Sequence, residues 1–311
     1  MNIYRNFDEI DYKKETVLTV GTFDGVHKGH QLIISRLLDN ALKNNWRPVL
    51  LTFDPHPQIV LQRDNLKPVK LLTTIEERLE LFEKFGLTDI LIIPFSKEFA
   101  KTTPEDFVEN YLIEKIGLSK ILIGFDHMFG KNRGGNETLL NSMSKVFHFA
   151  IERIDALQKE GEKVSSSKIR ESLETNAIKD VNDMLGHNYS VSGDVVPGDG
   201  RGRTIGLPTA NINYPEHKHI PTNGVYLVKS VINGMSKYGL ANIGTRPTFT
   251  NSRNTILEVY FLDFQDDLYG SCLTIEFLDF IRYEQKFKDL DSFLLQIALD
   301  KEKAMQLINK F

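Results

Sequence analysis

Gly21-Thr22-Phe23-Asp24-Gly25-Val26-His27-Lys28-Gly29-His30 stands between a short β-branched apolar run at 17–20 and an amphipathic segment that begins at its last histidine. Strand, glycine-bearing loop and helix in that order form the first turn of an open α/β sheet, where ligands bind at the carboxyl ends of the strands. The glycines suit close approach of backbone to phosphate, and the helix N-terminus favours an anion. His27 and His30 are three residues apart at a helix start, so they face the same way. Neutral imidazoles there still donate one hydrogen bond each. Phosphate transfer needs mainly positioning and charge stabilisation, which such a loop supplies without a protein nucleophile. The Walker-type Gly-Lys-Ser/Thr is absent from the loop, which argues against a P-loop kinase. On its own the loop leaves two alternatives open: a metal site with Asp24 as third ligand, or histidines that only cap the helix.

Outward from this loop the first half alternates strand and helix patterns. Strands are expected at 17–20, 48–53, 90–95, 120–125 and 148–154, each short and apolar, as strands buried on both faces are. Helical stripes are Leu32, Ile33, Leu37, Leu38, Ala41 and Leu42, then Ile75, Leu79 and Phe82. Thr103 and Pro104 read as N-cap and first helical residue, leading to Phe107 and Tyr111. The order predicts a parallel, doubly wound sheet.

Near residue 185 the pattern changes. Longer alternating runs at 190–196, 224–232, 238–243, 255–263 and 272–282 predict an antiparallel barrel or sandwich. A last helix is expected to bury Leu290, Phe293, Leu294, Ile297, Ala298, Met305 and Ile308 on one face. Two domains follow, residues 1–184 and 185–311.

The 311 residues are 41% hydrophobic and 26% charged, and the net charge of −4 gives no global pull toward nucleic acid or a membrane surface. The N-terminal residues carry no long apolar run, so neither a secretory signal nor a membrane helix is expected. With Cys272 as the one cysteine, no internal disulfide forms, and the cytoplasm is the expected location.

Other polar segments fall at predicted strand ends. Thr52-Phe53-Asp54-Pro55-His56-Pro57 ends the second strand, and Gly124-Phe125-Asp126-His127-Met128-Phe129-Gly130 the fourth. Ser165-Ser166-Ser167-Lys168-Ile169-Arg170 opens the last helix of the domain, offering hydroxyls, amides and positive charge for a triphosphate. In the second half, Gly198-Asp199-Gly200-Arg201-Gly202-Arg203 is a basic glycine loop able to wrap phosphates or to serve as an exposed turn. Thr209 and Asn211, two apart, project to one side of an extended segment and carry hard oxygen atoms suited to Mg²⁺. Glu258 lies among apolar residues on a strand, either facing solvent or acting as a general base.

His27-Lys28-Gly29-His30 with Ser166-Ser167-Lys168-Ile169-Arg170 resembles the nucleotidyltransferases of the His-x-Gly-His signature. The loop from Gly21 to Gly25, Thr52 to Pro57 and Gly124 to Gly130 narrow the resemblance to bacterial FMN adenylyltransferases. It implies a Rossmann-like domain that makes FAD and pyrophosphate from ATP and FMN. His27 and His30 would contact the ATP phosphates beside Gly21, Phe23, Asp24 and Gly29. Ser166, Ser167, Lys168 and Arg170 would close over them. Asp54, Asp126 and Phe129 would lie on the flavin side. The sequence departs from the family at His127-Met128, where an aromatic residue is expected first.

The second half resembles the riboflavin kinases through Pro208-Thr209-Ala210-Asn211, Asn223-Gly224-Val225-Tyr226, Gly244-Thr245-Arg246-Pro247-Thr248-Phe249 and the strand Glu258. The resemblance implies a six-stranded antiparallel β-barrel with a terminal helix that converts riboflavin and ATP to FMN and ADP. Gly200, Gly202 and Arg203 would bind ATP, Thr209 and Asn211 would hold Mg²⁺-nucleotide, and Glu258 would take the ribityl 5′-hydroxyl proton. Asn223, Arg282 and Glu284 would lie on the flavin side, with Tyr283 standing where an acid is expected. Riboflavin, FMN, FAD and ATP are then the partners. The flavins are substrates and products, and no nucleic acid or membrane is involved.

Overall fold

The computed structural model describes residues 1–62, 69–125, 127–159, 161–198, 206–247, 253–264 and 266–309. The chain divides into two compact units, Met1–Ser166 and Ser167–Phe311.

The first unit is built on strands β1 (Asn2–Tyr4), β2 (Thr16–Val20), β3 (Arg47–Asp54), β4 (Asp89–Pro94), β5 (Leu118–Gly124) and β6 (Ala150–Ile154). They form one sheet in the order β1-β4-β3-β2-β5-β6, every pair parallel. Strand order reverses between β2 and β5, so the switch point of the sheet lies where the loop after β2 begins. Helices α1 (Lys28–Asn44), α2 (Pro57–Val60), α3 (Ile75–Lys84), α4 (Pro104–Asp106, running on as a π-helical Phe107–Ile116) and α5 (Glu137–Phe147) fill the connections.

Alternate strand residues go to opposite faces. Leu18, Val20, Leu51 and Ile93 pack with Phe107, Leu112 and Leu140. Val17, Leu50, Ile90 and Ile92 pack with Ile34, Leu37, Ala41 and Phe82. Both faces are therefore covered, as the apolar strand runs require. The predicted α1 stripe is shifted: Ile34 is buried, while Leu42 is 86% exposed because the packed face centres on positions 34, 37 and 41. Thr103 caps α4 by accepting the Asp106 amide, with Pro104 in the first turn.

A short hairpin, β7 (Gln158–Lys159) and β8 (Glu162–Lys163), completes the first unit's strands. Helices α6 (Ser166–Glu174) and α7 (Ile178–Leu185) lead into β9 (Tyr189–Val196), β10 (Ala210–Asn213), β11 (Gly224–Ile232), β12 (Met235–Pro247), β13 (Arg253–Phe261) and β14 (Cys272–Arg282). These close into an antiparallel barrel in the order β10-β13-β12-β11-β14-β9. Closure removes the free edges that an open sheet of this length would expose.

Helix α8 (Leu290–Ile308) packs on the outside of the barrel. There Ala304, Leu307 and Ile308 meet Val225, Leu227, Leu240, Leu278 and Ile281. Its predicted apolar face holds in part: Ile308 packs on the barrel and Phe293 and Ile297 are half-buried, whereas Leu290, Ala298 and Met305 are exposed and Leu294 is 37% exposed. An ion pair also ties the helix to the barrel. Arg282 Nε lies 2.9 Å from both Asp300 carboxylate oxygens and Nη2 lies 2.9 Å from one of them, with Asp300 only 2% exposed. Asp300→Ala leaves the Arg282 guanidinium without its carboxylate in this packed site. The expected loss is about 3 kcal/mol or more in urea unfolding, with Asp300→Asn losing less.

Two candidate active sites

The loop after β2 has a costly backbone. Phe23 and Val26 have φ of 50° and 41°, in a region where side chains crowd the backbone. Packing holds them there. Phe23 is 2% and Val26 0% exposed, and the Phe23 ring meets Phe82 at 5.9 Å and His30 at 5.1 Å. Such strain persists only where the surroundings over-determine it. Gly21 leaves room for that ring, since a Cβ there would lie 3.1 Å from it.

Asp24 is turned toward the segment before α3. Its oxygens accept the Leu72 amide at 3.1 Å, the Thr73 amide at 3.0 Å and the Thr73 hydroxyl at 3.2 Å. Thr73 in turn accepts the Gly25 amide at 2.9 Å. The alternative of a His27–His30–Asp24 metal site is therefore not formed. Among the described residues no group of three His, Cys, Asp or Glu side chains is placed to hold a metal.

His27 is the N-cap of α1, its Nδ1 accepting the His30 amide at 3.3 Å. An accepting Nδ1 puts the proton of a neutral ring on Nε2. The two imidazoles stack at 3.7 Å with 16° between their planes. Gly29 permits this, because a Cβ there would come 3.2 Å from the His27 ring. His30 Nδ1 is buried and makes no hydrogen bond. Burial above all, then His27 and Arg78, hold the His30 pKa well below the ordinary 6.5. The His30 imidazole is thus a neutral donor near neutral pH.

A depressed histidine pKa also sets a pH dependence. The unfolded chain takes up this proton first, so stability is unaffected above about pH 6.5 and falls as pH drops below it. His30→Gln is expected to flatten that fall, read as the difference in unfolding midpoint between about pH 7.5 and about pH 5.5.

Ser166 joins the loop by donating its hydroxyl to the Asp24 carbonyl at 2.9 Å. Ser167, Lys168 and Arg170 follow on α6 within the second unit, where Lys168 Nζ lies 3.4 Å from Glu171. Asp54 ends β3 at the same carboxyl edge as the histidine loop. Burial raises its pKa, and Arg78 Nη2 at 4.0 Å opposes that rise. Phe129 is half-buried against Phe107 at 5.8 Å and His127 at 5.5 Å, its ring lying on Gly135. Asp126 lies outside the described residues, as do Gly200, Gly202, Arg203, Thr248 and Phe249.

On the barrel, Asn211 of β10 and Asn242 of β12 both stand opposite Glu258 of β13. Leu257 and Val259 point into the core at 0% exposure, which turns Glu258 to the outer face, half-buried. The Asn211 carboxamide lies against Gly198, where a Cβ would come 2.2 Å from its Nδ2. The start of the glycine loop, Asn211 and Glu258 are therefore brought together, with Thr209 two residues before Asn211 along the chain. Asn223 donates to Glu284 at 3.1 Å, and Glu284 lies over the bare backbone of Gly244. Arg282 is committed to Asp300, and Tyr283 is 67% exposed. Sequence reasoning passed over Asn242, Asp300, Thr73 and Arg78, because each sits in a pattern that reads as an ordinary exposed polar position.

A parallel sheet with paired histidines at its switch point, joined in one chain to a closed barrel with a carboxylate and a carboxamide opposed, defines a two-unit enzyme of phosphorus-group transfer. Residues 9–168 match the FAD synthetase family and residues 185–308 the riboflavin kinase family. The bifunctional riboflavin kinase/FMN adenylyltransferase of Listeria monocytogenes is 36% identical over 92% of this chain and 90% of its own. That of Bacillus subtilis is 34% identical over 94% and 92%. A solved structure from Streptococcus pneumoniae, described as a macrolide-efflux protein, superposes with a TM-score of 0.88 at 30% identity, covering 98% of each chain. The chain belongs to the bifunctional riboflavin kinase/FMN adenylyltransferase family. Among its described residues no helix is long and apolar enough to cross a membrane.

Proposed function

We propose that this chain makes FAD from riboflavin in two ATP-dependent steps, the kinase step on residues 185–311 and the adenylyl step on residues 1–184. The observation that carries this reading is the match of both families, in order, over nearly the whole chain.

In the first step the ribityl 5′-hydroxyl attacks the γ-phosphorus of ATP and ADP leaves. Glu258 takes the hydroxyl proton, which its outward placement opposite Asn211 and Asn242 favours. Thr209 and Asn211 offer neutral oxygen atoms to Mg²⁺. That donor set suits an ion which keeps phosphate oxygens and waters rather than an all-protein cage. The ion would neutralise phosphate charge when bound. Gly200, Gly202 and Arg203 are assigned to the ATP phosphates and Asn223 and Glu284 to the flavin. Arg282, paired with Asp300, is assigned to the flavin side as well.

In the second step a phosphate oxygen of FMN attacks the α-phosphorus of ATP and pyrophosphate leaves. The rings of His27 and His30 donate to the oxygens on which charge builds. Gly21 and Gly29 give the rings room, Phe23 and Asp24 fix the loop, and Ser166, Ser167, Lys168 and Arg170 serve the triphosphate. Asp54, Asp126 and Phe129 are assigned to the flavin. A lone cysteine and ATP as co-substrate fit the cytoplasm.

Incubation with riboflavin, ATP and Mg²⁺ followed by separation of the flavins is expected to give FMN and then FAD. If neither product forms, the proposal is wrong.

A further inference from the structure

Helix α3 carries a charge that neither reaction consumes. Arg78 is 1% exposed, and a guanidinium is costly to bury unless its donors are satisfied. Its Nη1 donates to the Thr22 carbonyl at 2.7 Å and to the Thr52 hydroxyl at 3.0 Å. Its Nε reaches the Thr74 carbonyl at 3.4 Å and its Nη2 the Phe53 carbonyl at 3.5 Å, with Asp54 4.0 Å away. The acceptors come from separate elements: the loop that leaves β2, the end of β3, and the N-cap of α3. Thr22 directly precedes Phe23, whose ring packs on His30. A displaced Thr22 carbonyl is thus passed to the histidine pair through a single residue.

We infer that Arg78 is a positioning residue for adenylyl transfer: its planar fork holds the histidine loop in register with the Asp54 end of β3. The inference rests on the adenylyl-transfer reading of this unit. A fold-only staple would make the same hydrogen bonds, so the distinction must come from the chemistry. His30 is acted on by His27 and Arg78, and Arg78 by Asp24, Asp54 and Glu76. Removing the Arg78 charge lets His30 take up a proton at higher pH, whereas a lysine keeps the charge and loses the fork.

The test uses the full chain as wild type, Arg78→Lys and Arg78→Met, with FAD formation from added FMN followed across pH. FMN formation from riboflavin is measured alongside. In both variants kcat for FAD is expected to fall on the order of 10²-fold, the cost of a misplaced reacting group. The acid limb of the pH profile is expected to move upward in Arg78→Met alone, and FMN formation to stay at the wild-type rate. If the wild-type chain makes no FAD, the adenylyl-transfer reading has failed. If it does and both variants match it, Arg78 does not position the site. A loss in both variants with an unshifted acid limb, or loss of cooperative unfolding in Arg78→Lys, assigns Arg78 to the fold alone and overturns the inference equally.

Discussion

His30→Ala, given riboflavin and ATP, is expected to accumulate FMN at the wild-type rate while FAD formation falls about 10²–10³-fold, the cost of removing one preorganised donor to a developing negative charge. The His30 ring is stacked on His27 and edge-on to Phe23, so its donor is held in place before substrate arrives. Its low pKa keeps it neutral, so it donates without the desolvation cost of an imidazolium. Truncation also removes the packing partner of both rings. His30→Gln separates the effects: it keeps volume and a donor, and is expected to recover part of the rate. Flavin separation by chromatography reads both products in one reaction. If FMN formation fell together with FAD in a folded variant, the two reactions would not occupy separate sites.

Glu258→Gln is expected to give the opposite pattern. FMN formation from riboflavin falls about 10²–10⁴-fold, the range for loss of a general base, while FAD formation from added FMN is unchanged. The substitution preserves shape and leaves the inward Leu257 and Val259 in place, so the strand is undisturbed. Asn211 and Asn242 still flank the new carboxamide. A kinase rate that survives the change would exclude Glu258 as the base.

Most strands were legible because their periodicity is local. The run at 272–282 coincides with β14, and the runs at 17–20 and 48–53 differ from β2 and β3 by a residue at one or both ends. Strands β1 and β10 were not legible, since neither is long enough to show a period. Strand β10 exists because Asn211 and Ile212 find partners on both β9 and β13. The face of α8 was legible only in part: Ile308 packs on the barrel as its periodicity suggests, but Ala304, Leu307 and the buried Asp300 paired to Arg282 also face it, and hydrophobicity alone does not mark a buried aspartate.

The stretch from Gly21 to His30 shows the same division within one loop. Its residue types and its place after the first long strand determined, without coordinates, a loop between strand and helix at the carboxyl edge of a parallel sheet and two histidines facing one way. Only the tertiary structure decided which side chains are bound into holding the loop. Asp24 turns to Thr73, Phe23 packs on Phe82, His27 Nδ1 caps its own helix, and Arg78 donates to the Thr22 carbonyl at the start of the loop. Periodicity and turn chemistry act over a few residues and are written in order along the chain. Partners such as Asp24 and Thr73, or Thr22 and Arg78, meet only once the sheet has formed, so their pairing leaves no local mark in the sequence.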